Sequence, residues 1–368
     1  MSRVPFLDLA KAYQELRPQL DKALLRVASS GQYLFGPETE SFEREFADYI
    51  GTRYAVTVGS GLDALIIALR AYGIGVGDDV LVPTNTFVAT WMAVSAVGAR
   101  PIPVEPDPHT YNIDIKNLNR RLSKNTRAII PVHLYGRPCD MESVTKWAKD
   151  HSLPVIEDAA QSHGAWMQHP LRKTGSLGQA GCWSFYPGKN MGAFGDAGAI
   201  TTNDERIAER CRELRNYGSV VKYHHETMGV NSRISEMDAA VLRVKLRVLN
   251  EWNRRREAVA QQYLDLLSDV PLVLPELPES VKPSWHLFVV QTSERDGLRQ
   301  FLREHEIDTQ IHYPVPPLRQ PVYAAQYSPN GCPIAEWLSQ RILSLPIGPH
   351  MSEAQVRRVS DLVHRYYS

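Results

Sequence analysis

The sequence predicts an α/β fold: a mostly parallel sheet in a large domain over residues 1–245, then a small α+β C-terminal domain over residues 246–368. Two observations lead there: apolar runs alternate with helical spacing, and the texture changes after about residue 240. The runs "DDVLVPTNTF", "ARPIPVEPD", "RAIIPVHLYG" and "LPVIEDAAQ" are apolar stretches that stop at polar loops, as doubly covered strands do. Between them, "DALIIALRAYG" and "MESVTKWAKDH" place apolar residues at helical spacing. Strands alternating with helices imply a parallel sheet covered by helices. Beyond it, "VLRVKLRVLNEWNRRREAVAQQYLDLL" is a long helical pattern, followed by the proline-dotted "VPLVLPELPESVKP" and an α+β mixture. The triple Arg254-Arg255-Arg256 in that helix reads as a solvated face.

Composition narrows the function classes. The 368 residues carry 41 basic and 41 acidic side chains, so no net charge draws the chain to nucleic acid or an anionic membrane. No apolar run approaches membrane-spanning length, and the start "MSRVPFLDLAKAYQEL" lacks a signal peptide's apolar region. Cys139, Cys182, Cys211 and Cys332 are scattered, which suits reduced thiols in a cytoplasmic protein. The histidines form no H-E-x-x-H, and no metal site is expected.

Ligands of open parallel sheets bind beyond the carboxyl ends of the strands, so the ends of the apolar runs are the places to search. "LPVIED" stops at Asp158, with Gln161 just beyond. "GCWSFYPGK" places Cys182 and Ser184 on one face of a strand and Lys189 in the loop after it. Lys189 stands alone among glycines, aromatics and small residues in "WSFYPGKNMGAFGDAGAI". A lysine in a dry pocket is driven toward its neutral, nucleophilic amine. "VGSGLDALIIAL" is a turn opening into a helix, where free N–H groups at Ser60, Gly61 and Leu62 suit a phosphate-sized anion. Together these pieces ask for a ligand with a phosphate, an aromatic nitrogen and an aldehyde. Pyridoxal 5'-phosphate has all three, with Asp158 at the ring nitrogen, Ser184 toward the phosphate and Phe87 as a stacking partner.

The chain resembles the DegT/DnrJ/EryC1/StrS family of sugar aminotransferases, of the aspartate-aminotransferase-like fold (fold type I of the pyridoxal-phosphate enzymes). The resemblance rests on "PFLDL", "GSGLDAL", "VPTNTFVAT", "VEPDPHTYNID", "HLYG", "VIEDAAQSHGA", "SFYPGKNMGAFGDAGA", "RNYG", "KYHHE" and "GVNSRISEMDAAVLRVKL", in order and almost end to end. It implies that Lys189 is the Schiff-base lysine, Asp158 the partner of the ring nitrogen and Gln161 that of the ring hydroxyl. It implies a phosphate held by Ser60, Gly61, Leu62 and Ser184, with Asn231 reaching it from the other subunit of a homodimer. The alternative for Asn231 is a cap on the helix that begins near Ser235. Leu62 stands where the family usually has threonine, Trp183 replaces a common phenylalanine, and "RISEMDAA" departs from a more usual "RLDELQAA".

The resemblance further implies transamination from L-glutamate to a nucleotide-linked keto sugar, with pyridoxamine 5'-phosphate formed on the way. It is nearest to members acting on a dTDP-linked 3-keto-6-deoxyhexose; 4-keto or UDP-linked substrates are the alternatives. Tyr186, Tyr217 and His312 are substrate-side candidates. The "KYHHE" loop, with Lys222, Tyr223, His224 and His225, reads either as a substrate contact across the dimer or as an exposed turn. Three rivals stand beside this reading. A sugar dehydratase of the same fold commonly has histidine in place of the lysine. A dinucleotide oxidoreductase needs a G-x-G-x-x-G that is missing here, and a non-catalytic regulator of the same fold is the third.

Overall fold

The structure is a computed structural model that describes residues 3–168, 171–221, 223–276, 279–328 and 331–368. Two helices lead, α1 (Leu9–Ser30) and α2 (Pro37–Ile50). The start of α2 is capped from far along the chain: the Glu236 carboxylate accepts from the amides of Gly36 (3.0 Å), Glu38 (2.8 Å) and Thr39 (2.9 Å). A carboxylate there satisfies orphan donors and opposes the helix dipole.

Strands and helices then alternate: β1 (Tyr54–Val58), α3 (Gly61–Ala71), β2 (Asp79–Pro83), α4 (Ala89–Ala96), β3 (Arg100–Val104), β4 (Thr126–Ile129), α5 (Met141–Asp150) and β5 (Ile156–Asp158). A hairpin of β6 (Trp166–Met167) and β7 (Arg172–Lys173) interrupts, before β8 (Ala180–Ser184), β9 (Gly198–Thr202) and α6 (Glu205–Leu214). The strands form a four-stranded sheet, β1-β9-β8-β5, and a three-stranded one, β3-β2-β4. Parallel bridges Ile129–Val155 and Val132–Asp158 join β4 to β5, so the two sheets continue edge to edge. Within this sheet β9 runs antiparallel to β1 and β8, while the other pairings are parallel. The expected mostly parallel sheet is borne out, and its burial pattern explains why: β2, β5 and β9 are buried at every position.

The sheet is held by separate apolar clusters. One packs α3, α4 and α6 against the strands through Val56, Ile67, Val80, Trp91 and Ile200. Another sets α2 behind the end of β8, where Phe46 meets Trp183 edge-on at 5.2 Å and Phe185 at 5.3 Å. Two further helices, α7 (Glu236–Leu246) and α8 (Leu249–Leu266), lead into the rest of the chain. Past the short β10 (Val281–Lys282), which pairs with β6, the antiparallel β11 (Phe288–Gln291) and β12 (Ile342–Leu345) anchor their own cluster. There Tyr263 of α8, Phe288, Leu298, Leu345 and Val359 pack together, and Val4 joins them through a parallel bridge to Ile307. Among the described residues no helix is long and apolar enough to cross a membrane.

Candidate active site

The parallel strands deliver their carboxyl ends to one cleft of about 1230 Å³. Ser60, Gly61 and Leu62 follow β1, Phe87 follows β2, Asp158 ends β5, and Ser184 ends β8. Lys189, Gln161, Tyr186 and His312 line the same space. Ten residues expected at the site from sequence therefore meet in one place within a single chain.

Lys189 sits at the tip of a loop that closes on itself. The Lys189 amide donates to Tyr186 O (2.8 Å), and the Ala193 amide donates to Phe185 O (2.7 Å). Gly192 passes so near Pro187 that a Cβ there would stand 2.2 Å from the proline carbonyl oxygen, so a side chain is excluded. From below, the buried Lys245 donates its ammonium to Gly192 O at 2.5 Å. Phe185, fully buried among Phe42 and Phe46, fixes the base of the loop. Desolvation lowers the Lys189 amine from its ordinary value to about 8, against a smaller opposite pull from Asp158. Three histidines near it are neutral for the same reason: burial brings His163 to about 3, His312 to about 4, and His286 well below its usual range.

Asp158 is buried, with its carboxylate held by Thr90 Oγ1 (2.8 Å) and the Ala160 amide (3.2 Å). Burial raises its pKa, and those hydrogen bonds together with the Lys189 charge resist the rise. Gln161 Oε1 accepts from the Tyr135 amide (2.6 Å), and its Nε2 donates to the Tyr313 hydroxyl (3.0 Å). One amide hydrogen of Gln161 remains for a further partner. Phe87 and Tyr313 lie ring to ring at 5.5 Å across the mouth.

At the start of α3, Ser60 is the N-cap and accepts from the Asp63 amide at 3.1 Å. The Gly61 and Leu62 amides have no hydrogen-bond acceptor among the described residues. A Cβ on Gly61 would stand 2.6 Å from the Ser184 Cβ, so the bare glycine lets the helix start and the Ser184 side chain face the same space. This donor set fits a phosphate, and a desolvated amine and a fixed carboxylate share the cleft with it. Pyridoxal phosphate therefore fits the residues present.

Other expected residues lie elsewhere. Asn231, Tyr217, Tyr223 and His225 do not line this cleft in their own chain, and Lys222 lies outside the described residues. Asn231 is exposed and bridges to Asn216, while His225 Nδ1 lies 3.0 Å from Tyr217 O. The capping alternative for Asn231 fails, because Ser235 itself caps α7 by accepting from the Asp238 amide. Ser232 is the residue that holds the turn: it accepts from the Gly59 amide (2.8 Å) and donates to Asp63 (2.7 Å).

The solvated arginine face needs correction. Arg254 pairs with Glu251, and Arg255 with Glu15 and Glu251, but Arg256 is 3% exposed and lines the cleft. The signal was present in the sequence, since Trp252, Val259, Ala260 and Tyr263 flank Arg256 at helical spacing on the buried stripe of α8. Thr90, Tyr135, Tyr313 and His286 were also missed, because contacts across distant loops leave no local pattern.

The model of the DegT/DnrJ/EryC1/StrS aminotransferase family matches residues 14–364. The chain is 51% identical over 366 residues to a dTDP-3-amino-3,4,6-trideoxy-alpha-D-glucose transaminase of Streptomyces venezuelae, covering 99% of this chain and 96% of the relative. It is 47% identical over 363 residues to a dTDP-3-amino-3,6-dideoxy-alpha-D-galactopyranose transaminase of Aneurinibacillus thermoaerophilus, covering 99% of each. The crystal structure of S. venezuelae DesV in complex with ketimine intermediate superposes with a TM-score of 0.98 at 50% identity, covering 100% of this chain and 99% of that one. These likenesses bear out the expected aspartate-aminotransferase-like fold.

Proposed function

Because the chain belongs to the DegT/DnrJ/EryC1/StrS aminotransferase family, we propose that it transfers an amino group from L-glutamate to the 3-keto carbon of a dTDP-linked 6-deoxyhexose. The observation that carries the reading is the meeting of Lys189, Asp158 and the open start of α3 in one cleft. The dTDP-3-amino sugar transaminases that resemble the chain at 47–51% identity support the choice of substrate. Bound pyridoxal phosphate, passing to pyridoxamine phosphate, supplies an aldehyde that accepts nitrogen and a ring that withdraws electrons.

The residues divide the remaining work. Ser60, Gly61, Leu62 and Ser184 would hold the phosphate, Asp158 the ring-nitrogen proton, Gln161 the ring hydroxyl, and Phe87 a ring face. Lys189 Nζ, lowered to about 8 by desolvation, would take the proton from the donor's α-carbon and pass it to the former aldehyde carbon before the keto acid leaves. Tyr186 and His312 face the sugar.

Asn231, Tyr217, Tyr223, His225 and Lys222 serve the cleft of a second copy in a homodimer. A band of exposed apolar residues supports this arrangement: Tyr33, Leu34 and Phe35 with Tyr217, Val220, Val221, Tyr223 and Met228. Arg233 lies over both the Phe35 and Tyr217 rings and joins the two segments. Four buried free thiols suit the reducing cytoplasm, where we place the protein.

The test is incubation with glutamate and a panel of 3-keto and 4-keto sugars on dTDP and UDP, with the new amine located by NMR. Amination at carbon 3 of the dTDP sugar is expected. Amination confined to 4-keto or UDP-linked sugars would overturn the substrate, and no transfer to any sugar would leave the rival of a non-catalytic regulator.

A further inference from the structure

Arg256 is a cation with no counterion. It is 3% exposed, and no carboxylate pairs with it among the described residues. The buried Arg215, by contrast, pairs with Glu43 at 2.5 Å. Of the carboxylates that line the cleft, Asp308 pairs with Arg3, Asp158 accepts from Thr90, Asp8 caps α1 and Asp196 is exposed, and none pairs with Arg256. Nη1 of Arg256 makes long contacts to three carbonyl oxygens, Trp285 (3.2 Å), His286 (3.4 Å) and Ile347 (3.4 Å). Nε is buried without a partner, and Nη2 makes no hydrogen bond among the described residues. One edge of the guanidinium fork is therefore unpartnered.

Burying an unpaired charge costs several kcal/mol in general, so a chain that holds one against a ligand cleft holds it for an anion. The Nε–Nη2 edge matches a carboxylate, two parallel donors to two oxygens. The charge lies in the cleft of the chemistry, since Arg256 and His286, whose carbonyl oxygen it contacts at 3.4 Å, line the same space as Lys189. A phosphate would have its own donors at the start of α3.

We propose that Arg256 is the carboxylate receptor for the amino donor, holding glutamate, and then 2-oxoglutarate, by one carboxylate while Lys189 works at the α-carbon. This rests on the transaminase reading above and adds the residue that selects an acidic donor.

The test uses holoenzyme of the parent, Arg256→Lys and Arg256→Gln, checked by circular dichroism and cofactor content. Calorimetry measures binding of 2-oxoglutarate and, separately, of thymidine diphosphate; steady-state kinetics gives KM for glutamate and for the sugar. Arg256→Gln should weaken 2-oxoglutarate and raise the glutamate KM by about ten- to a hundredfold, the range of a lost charge-assisted pair, with thymidine diphosphate unchanged. Arg256→Lys keeps the charge but not the fork and should fall between.

Unchanged 2-oxoglutarate binding in a folded, cofactor-loaded variant would overturn the proposal. A loss confined to thymidine diphosphate would also overturn it and assign the charge to the sugar nucleotide. If Arg256→Gln does not fold, Arg256→Lys decides by the same two measurements. The calorimetric arm reads the donor site even if no sugar is aminated, so failure of the transaminase reading shows separately as absent transfer in the parent.

Discussion

Lys189 is half-buried in the cleft wall, with three neutral imidazoles nearby and Asp158 as its counterweight. Desolvation outweighs that carboxylate, so the amine titrates at about 8 instead of near 10.5. Between those values the unfolded chain still holds a proton that the folded apoprotein has released. Its contribution therefore makes stability rise with pH across that window. Competitive acetylation of the apoprotein, followed residue by residue, should show Lys189 reactivity rising to a plateau with a midpoint at about pH 8. A midpoint near 10.5 would show that the cleft leaves the amine solvated. The existence of this lysine was legible because it stands alone among glycines and aromatics. Its neighbour His286 was missed, because it comes from a segment about a hundred residues away.

At the scale of elements, the loop from Phe185 to Ala193 depends on three supports: the aromatic wedge of α2, the close pass of Gly192 under Pro187, and Lys245 reaching up from α7. The last is an expensive support, because burial lowers the Lys245 amine to about 8 as well. Its removal leaves the Gly192 carbonyl without that donor and loosens the turn that presents Lys189. Lys245→Met should fold, since an apolar chain of similar length replaces a buried cation, yet hold pyridoxal phosphate about tenfold less tightly. Equilibrium dialysis measures this directly, and unchanged affinity would separate the two lysines. Strand ends were the most readable part of the chain, because a doubly covered strand is a continuous apolar run that stops where the ligand begins. Arg256 was not, because three successive arginines look alike until the buried stripe of α8 is traced through Trp252, Ala260 and Tyr263.

The whole molecule, taken as one chain, has a cleft that Asn231 and the His225 loop do not enter, and a band of apolar residues left in solvent. The proposed second copy would account for both. Lys189→Ala and Asn231→Ala chains, co-refolded, should give hybrid dimers in which one site carries both lesions and the other neither, so part of the activity returns. No recovery from verified hybrids would place Asn231 at its own chain's site. The resemblance that implies this arrangement runs through motifs scattered from "PFLDL" to "GVNSRISEMDAAVLRVKL". Periodicity could not have supplied it, since an interface between copies leaves no period in the sequence.

Which amine the cofactor meets decides the roles of both lysines, Lys189 and Lys245. Holoenzyme reduced with borohydride and digested should carry the pyridoxyl group on the peptide containing Lys189, in stoichiometric yield and with Lys245 unmodified. A pyridoxyl group on Lys245, or on any lysine other than Lys189, would contradict the role given to Lys189.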